Sequence, residues 1–215
     1  MKHFLKRVVI MIIGLFFYAL GIVITIKANI GYAPWEVFHA GLANTFGFSI
    51  GFFSIIVGIV VVITVILLGE KIGFGTISNM ILIGIFIDLI LFLNIIPTPE
   101  NLIFCVLMLI LGLFTISVGS YFYIKTGFGA GPRDSLMVVL TRKTKIAVGI
   151  CRSLIELFVT VIGWLLGGMV GLGTIISVIG IGFCIQITFK LFRFDSTLVK
   201  HETFSDTIAS LKRKQ

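Results

Sequence analysis

Three ionisable side chains, Asp88, Arg152 and Glu156, lie inside long uncharged apolar runs. At the centre of a membrane-spanning helix each costs about 2.5–3.5 kcal/mol by insertion scales, so such residues face a protein interior or a cavity. There a carboxylate such as Asp88 or Glu156 can couple a proton or a cation, and Arg152 can bind a substrate carboxylate. Arg152 and Glu156 are spaced i, i+4 and share a helix face, which lets them pair. The competing reading is a buried structural pair of Arg152 with Glu156 or Asp88. At the helical rise, Glu156 lies about 13 Å from the start of its run at Ala147, and Asp88 about 12 Å from the end of its run at Ile96.

Glu36 and Asp134 form a second pair, and each closes a repeated phrase. "KANIGYAPWE" covers Lys27 to Glu36 and "KTGFGAGPRD" covers Lys125 to Asp134. The shared positions are Lys27/Lys125, Gly31/Gly129, Pro34/Pro132 and Glu36/Asp134. Gly permits a turn with φ > 0. Pro suits the first helical position, and the acid two residues later complements the helix dipole. The phrase therefore predicts a turn followed by a helix start. Two readings stay open: a well-capped helix, or a short helix that dips into a membrane beside a substrate site, as paired breaks in two halves suggest.

Other chemistry finds no support. His3, His39 and His201 are scattered, and Cys105, Cys151 and Cys184 sit in apolar runs where Cys acts as a small hydrophobe. No metal site, cofactor, phosphate-binding loop or nucleophile–base set is expected, so there are no catalytic candidates and no enzyme is predicted. No nucleic-acid partner is expected either.

The elements that must position these residues are membrane helices. The chain is 58% hydrophobic and 12% charged, against roughly 25% charged in soluble domains, and its mean hydropathy is +1.19. Apolar runs at Val8–Ile26, Ile50–Leu68, Phe74–Ile96, Leu102–Ile124, Ala147–Gly167 and Thr174–Phe189 approach or exceed the length needed for about 30 Å of hydrocarbon. In lipid they must pair their own backbone groups, hence helices. The first run is longer than a signal-peptide core and lacks a cleavage site, so it reads as a retained helix.

A shift of 98 residues lays the first half on the second: Gly14/Gly112, Gly21/Gly119, Gly51/Gly149, Gly73/Gly171, Gly75/Gly173, Thr76/Thr174 and Gly84/Gly182 match besides the phrase above. The predicted units are 1–98, 99–194 and a basic tail 195–215. In the Gly-x-Gly-Thr pairs the Thr is the expected N-cap, with tight turns or close helix approach from the glycines. With the N-terminus cytoplasmic, every Lys and Arg except Lys27 and Arg152 falls in a cytoplasmic piece, which is 15 of the 17, as the positive-inside rule favours. Three crossings per copy then invert the second copy relative to the first. If 34–47 and 132–145 also crossed, the copies would be parallel, although each is short and polar. The charges inside the helices break the repeat: Asp88 matches Gln186, Arg152 matches Ser54 and Glu156 matches Gly58. Tyr18, Tyr32, Trp35 and Trp164 need no special role, Trp35 and Tyr32 suiting an interface belt. In the tail, Ser205 is expected to begin a short helix, and the basic "LKRKQ" end is solvated or touches anionic lipid.

The repeated G-x-x-P-x-[ED] motif at Gly31–Glu36 and Gly129–Asp134, the basic second copy and the length resemble the YczE/YyaS/YitT family of bacterial membrane proteins, over about residues 5–195. The resemblance implies a multi-pass protein of the bacterial plasma membrane. It carries over no catalytic residues, because the family's activity is not settled.

The fold expected is an all-α integral membrane protein of six transmembrane helices, built from two inverted three-helix repeats, each with a short broken or interfacial helix. The function expected is a small secondary transporter for a small organic solute in the bilayer, plausibly a homodimer, with both termini cytoplasmic. The alternative is a non-transporting adaptor that supports a partner complex through its basic surface.

Overall fold

The computed structural model describes residues 2–199 and 201–207. Eight α-helices follow one another: α1 Lys2–Lys27, α2 Pro34–Phe46, α3 Ile50–Leu67, α4 Phe74–Leu93, α5 Leu102–Ile124, α6 Pro132–Thr144, α7 Val148–Leu165 and α8 Leu172–Leu191. Six of them, all but α2 and α6, are long and apolar enough to cross a membrane. Their outward faces are apolar too, with Phe92, Leu67, Leu165 and Phe183 each more than 60% exposed. Apolar surface on this scale needs lipid around it.

α1 and α5 form the centre. They cross antiparallel, Gly14 against Gly119 and Gly21 against Gly112. A Cβ on Gly14 would meet the Tyr123 nitrogen at 2.7 Å, and one on Gly21 would meet the Ile116 nitrogen at 2.6 Å. Small residues let backbones approach this closely where lipid offers no hydrophobic drive between helices. Met11, Leu15, Ile22, Leu113 and Ile116 fill the core along this seam, with Ile83 and Ile87 of α4.

α2 and α6, at 13 residues each, are shorter than these six. Tyr32 N–H donates to Met169 O and Asn44 Nδ2 donates to Gly167 O, so both ends of α2 rest on the α7–α8 connection. α6 likewise starts and finishes at the opposite end of the bundle, where Gly129 abuts Gly73 and Arg142 pairs with Glu70 at 2.8 Å. Each is a short helix entered from one end and left at the same end.

At each end a loop passes over a helix start, with matching geometry. Gly173 N–H donates to Ile30 O at 2.7 Å, and Gly75 N–H donates to Phe128 O at 2.7 Å. Gly31 and Gly129 supply the turns, at φ +115° and +119°. The glycines of the Gly-x-Gly-Thr motifs, Gly73 and Gly171, are the N-caps here, and the Thr works from three residues inside. Thr76 Oγ1 accepts from Gly73 N–H at 3.2 Å, and Thr174 Oγ1 accepts from Gly171 N–H at 3.1 Å. Thr at the cap itself would need room beside Phe128 O and Glu202 O, which crowd the Gly73 Cα.

The described part of the tail closes over one end. Glu202 N–H donates to Gly127 O and Phe204 N–H to Ile72 O, and Arg7 bridges Glu202 Oε1 at 2.8 Å and Thr126 O. Residues 204–207 are helical, but Thr203 caps them rather than Ser205: Thr203 N–H donates to Asp206 Oδ2, and Asp206 N–H donates to Thr203 Oγ1. This is a reciprocal capping box. The basic "LKRKQ" end lies outside the described residues.

Candidate functional site

The local sequence places two helix starts where they can meet. Pro34 and Pro132 occupy the first turns of α2 and α6, after backbones at Ala33 and Gly131 in extended conformation, and neither cap uses a side-chain hydrogen bond. The acids at the third position, Glu36 and Asp134, are therefore not committed to capping. Glu36 is 5% exposed and accepts from Arg133, the residue before Asp134, at 3.3–3.4 Å. The Arg133 guanidinium lies 4.8 Å from the Trp35 ring centre. The two phrases, 98 residues apart in the chain, thus touch through an ion pair and a cation–π contact.

Beside that junction lies a cavity of 260 Å³, lined by residues from all eight helices. Tyr18 of α1, Trp35 and His39 of α2, Ser54 of α3, Asn79 of α4, Ser120 and Tyr123 of α5, Arg133 and Asp134 of α6, Arg152 and Glu156 of α7 and Phe189 of α8 are among them. α7 contributes an i, i+4 pair, Arg152 Nε to Glu156 Oε1 at 2.8 Å. Asp134 is exposed and lines the cavity, with no ion pair or hydrogen bond among the described residues. His39 is 2% exposed, and its Nδ1 has no hydrogen-bond partner among the described residues. Tyr123 is anchored by donating to Gly129 O at 2.9 Å.

The cavity lies where α7 and α8 part. Arg152, Ile155 and Glu156 face it from α7, and Ile181, Ile185 and Phe189 from α8. The matching helices of the first half, α3 and α4, close on each other instead. A Cβ on Gly84 would meet Gly51 O at 2.5 Å. A Cβ on Gly149 or Gly182, the positions 98 residues on, would meet nothing within 4 Å among the described residues outside its own helix backbone, and α7 and α8 barely touch.

Of the residues singled out from the sequence, Asp134, Arg152 and Glu156 line this cavity, and Glu36 lies behind its wall, paired with Arg133. Asp88 does not join them. It caps α3, accepting from Ser49 Oγ at 2.5 Å and Gly51 N–H at 2.8 Å. Lys27 and Lys125 also lie elsewhere, at the ends of α1 and α5: Lys27 Nζ donates to Asn94 Oδ1, and Lys125 Nζ to Tyr121 Oη. Gly31, Gly129, Pro34 and Pro132 shape the turns without lining a common surface, although Pro132 reaches the cavity. Trp35 is buried under Arg133 at 9% exposure instead of sitting in an interface belt. Trp164 is 61% exposed.

Sequence reasoning passed over Arg133, His39, Tyr18 and Trp35. A signal existed for two of them: Trp35 and Arg133 occupy the same place in the two phrases yet differ in kind, and they stack on each other. His39 and Tyr18 carry no such mark, since one His or Tyr on an apolar helix looks the same whether it faces lipid or a cavity. Among the described residues no group of three His, Cys, Asp or Glu is placed to hold a metal ion.

The chain is 36% identical over 177 residues to the uncharacterized membrane protein YczE of Bacillus subtilis, covering 81% of each chain. It is 31% identical over 183 residues to an uncharacterized protein of Haemophilus influenzae, covering 84% of this chain and 82% of that one. With YyaS of Bacillus subtilis, also uncharacterized, the identity is 29% over 170 residues, 77% of this chain and 84% of the relative. No solved structure matches. With six apolar helices of spanning length and a family model that matches residues 5–190, this multi-pass membrane protein belongs to DUF6198, a family of unknown function.

Proposed function

We propose that the protein is a small secondary transporter for a small organic solute, working by alternating access between two inverted halves. The observation that carries this reading is the 260 Å³ cavity lined from all eight helices, where both short-helix starts meet beside the α7 ion pair. Discontinuous helices whose starts converge between two halves form the solute sites of many transporters. Support for the inversion comes from the antiparallel α1–α5 crossing and from the two loop crossings that seal opposite ends with the same hydrogen bond.

The different spacing of α3–α4 and α7–α8 suggests how access would alternate. One half holds its pair closed while the other holds its pair apart around the cavity. Exchange of these two arrangements between the halves would move the opening from one side to the other. Each state must differ in contact energy for a solute to shift the balance. With both termini cytoplasmic, as the charge distribution favours, the tail strap would brace the cytoplasmic end. The chain does no covalent chemistry in this reading, and its external partner is lipid, with a homodimer as the proposed assembly.

The test is uptake by proteoliposomes from a pooled metabolite set under a proton gradient and in counterflow, with Asp134→Asn as the variant. Wild-type accumulation of at least one solute, lost in the variant, is expected. A pool that stays outside in both modes would reject transport. A second reading, an adaptor for a partner complex, draws on the exposed basic stretch from Arg142 to Lys145. In-cell crosslinking from Lys145 that recovers one stoichiometric partner would favour it.

A further inference from the structure

The charged groups at the cavity do not balance pair by pair. Glu36 is taken by Arg133, and Glu156 is taken by the Nε of Arg152. Asp134 has no partner within hydrogen-bonding or ion-pair distance among the described residues. The two terminal nitrogens of Arg152 likewise make no hydrogen bond or ion pair among them, and its side chain is 43% exposed. Asp134 and Arg152 both line the cavity, yet no ion pair joins them. A carboxylate without a partner and a guanidinium with two free terminal nitrogens therefore lie on two helices that face the same space.

We propose that this cavity takes a small zwitterion, an amine and a carboxylate on one skeleton, with the carboxylate on the Arg152 guanidinium and the ammonium on Asp134. The proposal rests on reading the cavity as a solute site. A guanidinium fork matches a carboxylate in shape as well as charge. An ammonium gains from the charge of Asp134, which lines the cavity. The other classes fit less well. A plain anion would meet the carboxylates of Asp134 and Glu156, and a plain cation would meet the guanidiniums of Arg133 and Arg152. An apolar solute would desolvate Asp134 and give it nothing in return. A zwitterion answers both signs and leaves the net charge unchanged. The volume of 260 Å³ lies below the roughly 300–1,000 Å³ of pockets for drug-sized ligands, which suits an amino-acid-sized molecule.

The experiment uses the full-length protein in lipid nanodiscs and measures thermal unfolding and calorimetric binding. The probes are glycine, L-alanine, L-leucine and 4-aminobutanoate, set against butanoate and butylamine, which carry one charge each. At least one zwitterion should raise the melting temperature saturably, and neither singly charged probe should do so at the same concentration. Asp134→Asn should weaken binding by about 10-fold or more, the loss of a charge-assisted contact to the ammonium. Arg152→Lys, which keeps the charge and loses the fork, should weaken it by about 10-fold. Both variants must elute as monodisperse protein, so that lost binding is not lost folding. A shift from butanoate or butylamine equal to that of every zwitterion, or no shift from any zwitterion, overturns the proposal. Liposome uptake separates it from the transport reading. Zwitterion binding without uptake rejects transport and keeps the site, whereas uptake restricted to singly charged or neutral solutes keeps transport and rejects the zwitterion.

Discussion

A shift of 98 residues lays the glycines of α3–α4 on those of α7–α8, and the two pairs of helices pack differently. The first pair is clamped at Gly51 and Gly84, with Asp88 tying the start of α3 to α4. The second pair keeps both glycines, and Gln186 stands in the place of Asp88, but the helices are apart and the cavity lies between them. Identical small residues permit close packing without enforcing it. What enforces it in the first half is a carboxylate that bonds across, and what opposes it in the second is the polar α7 face of Arg152 and Glu156. Closing those charges against α8 without a partner would desolvate them.

The largest expected effect tests the clamp directly. Gly84→Leu should destabilise by about 3 kcal/mol or more, because a side chain there overlaps Gly51 O and Ile55. Gly182→Leu should leave stability within about 0.5 kcal/mol, since nothing lies near it. If α7 and α8 close in the alternate state, uptake by Gly182→Leu should still fall by about tenfold or more, the effect of about 1.4 kcal/mol against that state. Thermal unfolding and proteoliposome uptake, measured together, check both halves. Normal uptake by a well-folded Gly182→Leu protein would break the comparison.

Where the two copies agree, the costs should agree. Gly31→Ala and Gly129→Ala each force a side chain into φ near +115–119° against backbone of the other half, at about 2–3 kcal/mol each. Gly31 should be the worse, with a Cβ 2.6 Å from the Gly171 nitrogen against 2.9 Å from Gly73 Cα for Gly129. Melting temperatures of the two variants settle the order.

Asp88→Ala should cost about 1–2 kcal/mol by freeing Ser49 and the Gly51 N–H, while the matched Gln186→Ala, exposed, should be near neutral. Hydrogen exchange at the start of α3 is the local readout. Thr76→Val should cost more than Thr174→Val, about 1–2 against about 1 kcal/mol. Both accept from a helix cap, but Thr76 also donates to Ala130 O at 2.6 Å.

The smallest effect is in the strap. Donation from the Thr203 hydroxyl and backbone holds the Asp206 carboxyl below its ordinary 3.8. A lowered folded pKa makes its stabilisation complete above 3.8, and that stabilisation is lost as pH falls through the lowered value. Protection of residues 203–207 against exchange should therefore drop in that acid window, and Asp206→Asn should abolish the pH dependence.

Much of this was legible in the chain. Leu102–Ile124 matches α5 residue for residue, and the other runs differ from their helices by a few residues at the ends, where N-terminal polar residues of α1 extend the helix and Asn94 ends α4 in the left-handed region. Pro34 and Pro132 start α2 and α6, and the i, i+4 pair of Arg152 and Glu156 forms as its spacing required. The partition of the charges was not legible. Asp88 looked like a member of the same set as Glu156, because both lie deep in apolar runs, but one faces a helix start and the other a cavity.

The sequence by itself determined the elements and the residues able to turn with positive φ, because hydrophobic length, local propensity and Gly or Pro chemistry act over a few neighbouring residues. Only the tertiary structure decided which charges meet. Glu36 and Arg133 are 97 residues apart, and no spacing rule links them. Their contact follows from the way α2 and α6 are held against the α3 and α7 faces. The same packing buried Trp35 under Arg133, moved Asp88 to a helix cap and left Asp134 uncommitted, since burial and partnership belong to the assembled faces of helices and not to any one segment.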